Sequence, residues 1–411
     1  MLGRRTNRGI RVTHIQSLEA LVGLRMAWNR LAADIPFRSW EWCTSWWLNY
    51  ATANRSLLVL LVTDDEDTLI GIAPWYLETN LVSGRVIRFL GAGEACPDYT
   101  SILSAYGHEQ EVARHVADWL SGDGRQEWDL LRLEAIAGDD VSIRLFADAM
   151  HDRDHTIERT HLANSWRAEL PEDWQSFVSS LSRSPRSKVR KLEKLLAVDS
   201  RLQQHEVIDE QSLAYGFQVL IDLHQRRRQS LGQHGCFSSR PFTFFHDTLA
   251  RQFLAKGTLR LRWTEFEHQP IAVEYGYRGD RTAYYYQGGF APEAADLNPG
   301  WLQFTSSIRS AIEQGCRHYD FLRGDEPYKA LWQAIPVPLE ELRVIPKHPA
   351  ARLRHAASEL SAAARRAASR LRKPLAPVAV KVPAETPDGS PIESPPARAA
   401  ENQQLALSLC D

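Results

Sequence analysis

The spacing of hydrophobic positions changes several times along the chain, and each change marks an element. From Ser17 to Tyr50 apolar residues recur at helical spacing in two adjoining stretches, the second opened by PFRSWEWCTSWW. LLVLLVT (57–63) and TLIGIAPWYL (68–77) are strand-like runs around an acidic turn, Asp64 to Asp67, and RVIRFLG (85–91) predicts a third strand. Glu109 to Leu120 returns to helical spacing, WDLLRLE (128–134) reads as a strand, and Ser142 to His151 as a helix.

The order then repeats. Helices are predicted over 211–229 and 241–256, and strands over TLRLRWTEF (258–266), PIAVEYGYR (270–278) and TAYYYQGG (282–289). A helix over 301–314 and a strand HYDFLR (318–323) follow. Matching elements lie about 190 to 200 residues apart: Leu57 against Thr258, Ile72 against Ala272, Asp129 against Asp320. The expected fold is α/β, built from two duplicated lobes with mixed sheets, over 1–165 and 166–346. Between the lobes, SSLSRSPRSKVRKLEKLLA (179–197) predicts a basic helix with Val189, Leu192, Leu195 and Leu196 on one face. Its Arg186, Lys188, Arg190, Lys191 and Lys194 either hold phosphates or form a solvated face.

Beyond about Pro346 the pattern dissolves. Residues 350–373 carry seven Lys/Arg against one Glu, so 347–373 reads as a basic Ala/Arg-rich helix, either a plain surface helix or a weak contact for anionic lipid or a protein. The Pro/Ala/Glu/Ser-rich stretch 374–411 reads as a disordered tail.

Composition adds mainly exclusions. Of 411 residues, 44% are hydrophobic and 24% charged, with a net charge of -2; such a chain builds a sizeable core, and its charge selects no nucleic-acid partner. The five cysteines are scattered, without a CxxC pair or a Cys/His cluster, so no metal is expected and a reducing cytoplasm is the simplest setting. The first fifteen residues lack the apolar core of a signal peptide, and no run of about 18 apolar residues occurs.

Candidate chemistry concentrates in YDFLRGDEPYKALW (319–332), where a strand-like run breaks at Arg-Gly-Asp-Glu before a helical pattern resumes. Gly324 permits a sharp turn. Asp325 and Glu326 stand at the carboxyl end of a strand, where α/β sheets commonly hold ligands, and also suit a helix amino terminus. His224 and Arg227 share one helical face before a glycine-bearing turn, GQHGCF; His224 is a base or an interface histidine. The tyrosines of TAYYYQGGF alternate faces, placing Tyr284 with Tyr286 and Tyr285 opposite, so Tyr286 and Gln287 either line a pocket or pack. In FAPEAADLNPGW (290–301), Asn298 can cap a helix, Pro299 can open it and Gly300 permits close approach, which makes an anion site feasible.

Taken in order, HQRRRQSLGQHGCF, GTLRLRW, PIAVEYGYR, YYYQGGF, NPGW and YDFLRGDEPYKALW resemble the GNAT-fold acetyltransferases of the CelD/BcsL type, associated with cellulose or exopolysaccharide synthesis and related to Fem-type aminoacyltransferases. The resemblance implies two GNAT-like lobes, the second catalytic over 166–346, and acyl transfer from acetyl-CoA or another acyl-CoA to an amine such as an amino sugar or another small amine. It assigns Asp325, Glu326 and His224 to acid–base chemistry and Tyr328 to protonating the thiolate. Arg227, Arg323, Tyr286 and Gln287 would meet the acceptor, and Asn298, Gly300 and Lys329 the donor. The glycine fingerprint Q/R-x-x-G-x-G/A of GNAT enzymes is replaced here by the 290–301 loop. Rival readings are a Fem-like transferase using aminoacyl-tRNA, for which 183–197 would be the basic contact, and a non-catalytic scaffold in a polysaccharide-synthesis complex. The expected location is cytoplasmic or peripheral to the inner membrane face.

Overall fold

A computed structural model describes residues 9–357, apart from residues 34, 348 and 350. The strands are β1 (Arg11–Ile15), β2 (Arg55–Thr63), β3 (Leu69–Asn80), β4 (Gly84–Phe89), β5 (Leu103–Ser104), β6 (Leu130–Ala137), β7 (Thr156–Glu169), β8 (Leu202–Glu206), β9 (Leu259–Phe266), β10 (Gln269–Arg278), β11 (Thr282–Phe290), β12 (His318–Arg323) and β13 (Ile335–Ile345). All thirteen join in one sheet, ordered β1-β2-β3-β4-β6-β13-β7-β12-β11-β10-β9-β8, with β5 on the side of β3.

The halves repeat each other within that sheet. In the first, β1 to β4 pair antiparallel in succession and β4 then runs parallel to β6. In the second, β8 to β11 do the same and β11 runs parallel to β12. Each half then gives its last strand away: β7 pairs with β12, and β13 pairs with β6. The exchanged strands also pair with each other, antiparallel from Ile335↔Arg167 to Ile345↔Thr156. The lobes are therefore duplicated as the sequence pattern implied, but they share one sheet, and β7 runs across the 165/166 boundary expected between them.

Helices cover both faces. Glu109–Ser121 and Val141–His151 close a core over the first lobe around Val116, Phe146, Trp75 and Leu131. Pro299–Glu313 covers one face of the second lobe, burying its Ile308 with Ala283, Tyr319 and Phe321. On the other face lie Glu210–Ser230, opened by a reciprocal Asp209/Ser212 capping box, and Arg240–Lys256, opened by Ser239 accepting from the Phe242 amide. Trp40–Tyr50 of the first lobe packs edge-on against this last helix, with Trp42 5.0 Å from Phe245. Burying large aromatic surfaces there fixes the relative placement of the lobes.

Residues 351–357 continue as helix against the first lobe: Ala351 is fully buried and Arg354 pairs with Asp129 at 2.8 Å. The remainder of the expected basic helix and the expected tail lie outside the described residues.

Candidate functional site

Strands β11 and β12 run side by side only through Thr282↔His318, Ala283↔Tyr319 and Tyr284↔Asp320, after which they part. At the parting β11 bulges: Tyr275 faces Gln287 and Gly276 faces Tyr285, so Tyr286 is the extra residue. The bulge interrupts the period of two. Tyr285 turns to the Pro299–Glu313 face, 5.0 Å from Phe304, while Tyr286 meets His246 at 3.1 Å on the other face. Gln287 also reaches that second face, hydrogen-bonding His224. The tyrosine alternation matches expectation. The Tyr286 hydroxyl, however, donates to the Ala95 carbonyl at 2.6 Å and so ties the lobes together.

Across the gap, β12 ends in a tightly held turn. Asp320 is fully buried and accepts from Tyr99 Oη (2.6 Å), Arg167 Nε (2.8 Å), the Leu322 amide (2.8 Å) and Ser165 Oγ (3.1 Å). Burial raises its pKa against the pull of these donors. Leu322 sits at φ 57° and Gly324 at φ 114°, which turns the chain out of the sheet. Lys329 closes the turn from inside, its Nζ donating at 2.9 Å to each of the carbonyls of Leu322, Arg323 and Gly324 and pairing with Glu326 at 2.9 Å. An ammonium has three donors, so the side chain expected to meet the donor molecule is engaged in holding the strand end. Arg323, expected at the acceptor, reaches the first lobe, bonding Asp98 at 2.6 Å and the Pro97 carbonyl.

Asp325 is exposed at the rim, with Oδ1 accepting from Trp166 Nε1 (3.0 Å) and Asn164 Nδ2 (3.2 Å), both from β7. The helix expected after it is a single turn, Tyr328–Leu331. Tyr328 stacks on Phe304 at 5.4 Å, and burial drives its hydroxyl pKa well upward.

The third wall is the end of helix Glu210–Ser230. His224, 1% exposed, lies against β11 because Gly289 has no side chain: a Cβ there would stand 2.4 Å from the His224 amide nitrogen. Burial, helped by Arg228, lowers its pKa to about 4. Arg227 stacks over Phe290 at 4.4 Å. Arg226 instead joins Asp222 at 2.9 Å and Glu293.

At the amino terminus of Pro299–Glu313, Gly300 faces open space. Asn298 makes no side-chain cap; its Oδ1 accepts from Lys188 Nζ at 2.6 Å, and that ammonium lies 4.7 Å over the Trp301 ring.

The expected residues are distributed around the end of β12 and the bulge of β11. His224 and Gln287 lie on the Glu210–Ser230 face, Tyr328 lies against Phe304 on the Pro299–Glu313 face, and Asp325 stands at the rim. Arg323 and Lys329 point into structural contacts. Sequence reasoning passed over Asp320, although it stands inside the quoted motif, and Asn164 and Trp166, which belong to a strand whose pattern gave no signal. Among the described residues no group of three or more His, Cys, Asp or Glu could hold a metal ion, and no helix is long and apolar enough to cross a membrane.

Comparison with known proteins bears on this geometry. Residues 179–330 match the family model described as "Acetyltransferase (GNAT) domain". Among solved structures, FemX superposes with a TM-score of 0.59 at 12% identity, covering 84% of this chain and 99% of its own. A conserved protein of unknown function from Bacteroides thetaiotaomicron VPI-5482 gives 0.53 at 7% identity, covering 82% and 100%. A tandem GNAT protein from the clavulanic acid biosynthesis pathway gives 0.43 at 11%, covering 83% and 99%. At such identities the first two likenesses speak to fold alone. Comparison with curated proteins found no match. The second lobe carries the match to the GNAT acetyltransferase domain, and the chain is an acyltransferase.

Proposed function

We propose that the chain moves an acyl group, acetyl in the first instance, from coenzyme A to the amine of a small acceptor such as an amino sugar, in polysaccharide or envelope metabolism on the cytoplasmic side of the membrane. The observation that carries this reading is the parting of β11 and β12 beside a bulge, within the segment matched by the acetyltransferase family. Separated parallel strands leave main-chain groups able to pair with an extended pantetheine arm, and a fixed amide is the donor that an acyl-transfer oxyanion requires. The amino terminus of Pro299–Glu313, with Gly300 open and Lys188 beside it, suits the donor's phosphates.

In this reading Asp325 meets the acceptor. Trp166 and Asn164 hold one of its oxygens, and the other is available to take a proton from the attacking ammonium. Tyr328, protonated at neutral pH, supplies the departing thiolate. A second reading, aminoacyl transfer from tRNA, has one observation in its favour: Arg183, Arg190, Lys191 and Lys194 are exposed on helix Arg183–Val198, next to the same donor end.

Release of free thiol from a panel of acyl-CoAs, offered with amino sugars, tests the proposal. Wild type turns over, and Asp325→Asn and Tyr328→Phe each lose at least about tenfold. Unchanged variants would refute the site assignment. Transfer supported by aminoacyl-tRNA alone would favour the second reading.

A further inference from the structure

Between β4 and β5 the chain makes a short 3-10 turn, Gly93–Ala95, at the seam between the lobes. The Ala95 carbonyl accepts from Tyr286, the bulge residue of β11, which sets Glu94 beside the bulge. One oxygen of its carboxylate, Oε2, accepts from the Tyr50 hydroxyl of the first lobe at 2.8 Å and from Ser239 Oγ of the second at 3.0 Å. Burial, reinforced by this bond, drives the Tyr50 pKa well upward, so its hydroxyl stays a donor. The other oxygen, Oε1, has no hydrogen-bond partner among the described residues and is not among the enclosed polar atoms. Glu94 is only half-buried, and the preceding Gly93 is exposed, with nothing within 4 Å of where a Cβ would stand. The turn therefore borders open space.

Carboxylates that hold structure at the seam are neutralised by arginine: Asp98 by Arg323 at 2.6 Å and Asp320 by Arg167 at 2.8 Å. Glu94 and Asp325 are different, for neither joins an ion pair among the described residues. Each has one oxygen held by two uncharged donors, Tyr50 and Ser239 in one case and Trp166 and Asn164 in the other. Neutral donors fix the direction of a carboxylate and leave its charge without a counter-ion. Such a group is already oriented for a cation from outside the chain, which lowers the cost of ordering on binding. The acyl-transfer scheme above gives Asp325 the attacking amine and does not use Glu94.

We propose that Glu94 receives a second, protonated amino group of the acceptor, so that the acceptor is a diamine. The inference rests on the acyl-CoA reading and narrows its acceptor. One amine attacks the thioester: the amide C–N bond forms, the bond from carbonyl carbon to coenzyme A sulfur breaks, and the thiolate leaves as the thiol. The second amine keeps its proton and stays against Glu94, where no bond is made or broken. A carboxylate oxygen only accepts, so the group facing Oε1 is a donor. The missing counter-charge favours an ammonium there over a hydroxyl, because a charge-assisted bond is about twice as strong as a neutral one. Glu94 is thus a specificity residue supplied by the first lobe, and Asp325 belongs to the second, so the acceptor lies across the seam.

Thiol release from acyl-CoA by the full-length protein is measured with α,ω-diaminoalkanes against alkylamines of the same chain lengths, and with a diamino sugar against glucosamine. The expected result is a diamine that exceeds its monoamine partner in kcat/KM by at least about tenfold, chiefly through KM. The advantage shrinks as salt is raised. Glu94→Gln, whose amide oxygen still accepts from Tyr50 and Ser239, removes the advantage at the wild-type melting temperature, whereas Glu66→Gln in the β2–β3 turn keeps it. Wild type acylating monoamines and diamines equally well overturns the role of Glu94 and leaves the acyltransferase reading intact. A Glu94→Gln protein that loses stability and loses turnover of both acceptors alike does the same, since Glu94 is then a strut between the lobes. Absence of thiol release with every acyl-CoA and acceptor overturns both.

Discussion

Lys329 buries its ammonium to 2% exposure against three carbonyls, while its carboxylate partner Glu326 stays 54% exposed. Lys329→Met leaves those acceptors without a donor and is expected to lower unfolding stability by about 3 kcal/mol in a denaturant titration. A raised KM for acyl-CoA at unchanged stability would instead make it a donor ligand. His224 yields a pH prediction of definite sign. Its folded pKa of about 4 lies below the ordinary value near 6.5, so the unfolded chain binds the proton first as pH falls. Stability contributed by the neutral ring is whole above pH 6.5, declines between 6.5 and 4, and is lost by roughly 3 kcal/mol at the lower end. Buried His246 acts in the same direction. His224→Gln should flatten the slope of stability in that window; an unchanged slope would show that another group titrates there.

At the scale of elements, Gly289 sets how closely helix Glu210–Ser230 approaches β11. A Cβ would meet the Leu223 carbonyl carbon and the His224 amide nitrogen, both at 2.4 Å, and main chain yields only if the helix moves. Gly289→Ala should cost about 1–3 kcal/mol and reduce turnover further by displacing His224; wild-type stability would contradict the packing. The helices flanking the site were legible from apolar residues at helical spacing, and strands β9 to β12 as short runs rich in aromatic and aliphatic residues bounded by turns. β13 was not. Pro336 and Pro338 argue against an interior strand, yet β13 lies mid-sheet. Pairing with β6 begins only at Leu339, so both prolines occupy a stretch with β7 alone beside it. β7 was hidden for another reason: TIERTHLANSWRAE is largely half-exposed and offers no alternating apolar face. Asp325 and Tyr328 stand in one short motif and could be singled out locally as candidates; the Trp166 and Asn164 that hold Asp325 could not, since they arrive through a strand exchanged between lobes.

Across the whole molecule, exchange of β7 and β13 makes each lobe depend on the other, and the two partings of parallel strands have different fates. In the first lobe β4 and β6 pair at Val86↔Leu130 and Ile87↔Leu131, and farther along the Thr100 amide donates to the Ala135 carbonyl at 3.0 Å. That loop closes over its own strands and sends Asp98 and Tyr99 to Arg323 and Asp320 of the second lobe. On the proposed function the first lobe is a buttress, and the donor binds the second. Hydrogen exchange with and without acyl-CoA tests this claim most directly. Slowed exchange confined to 285–301 and 321–328 is the predicted result. Protection at 88–101 and 132–137 instead, or nowhere in the chain at saturating acyl-CoA, would contradict it.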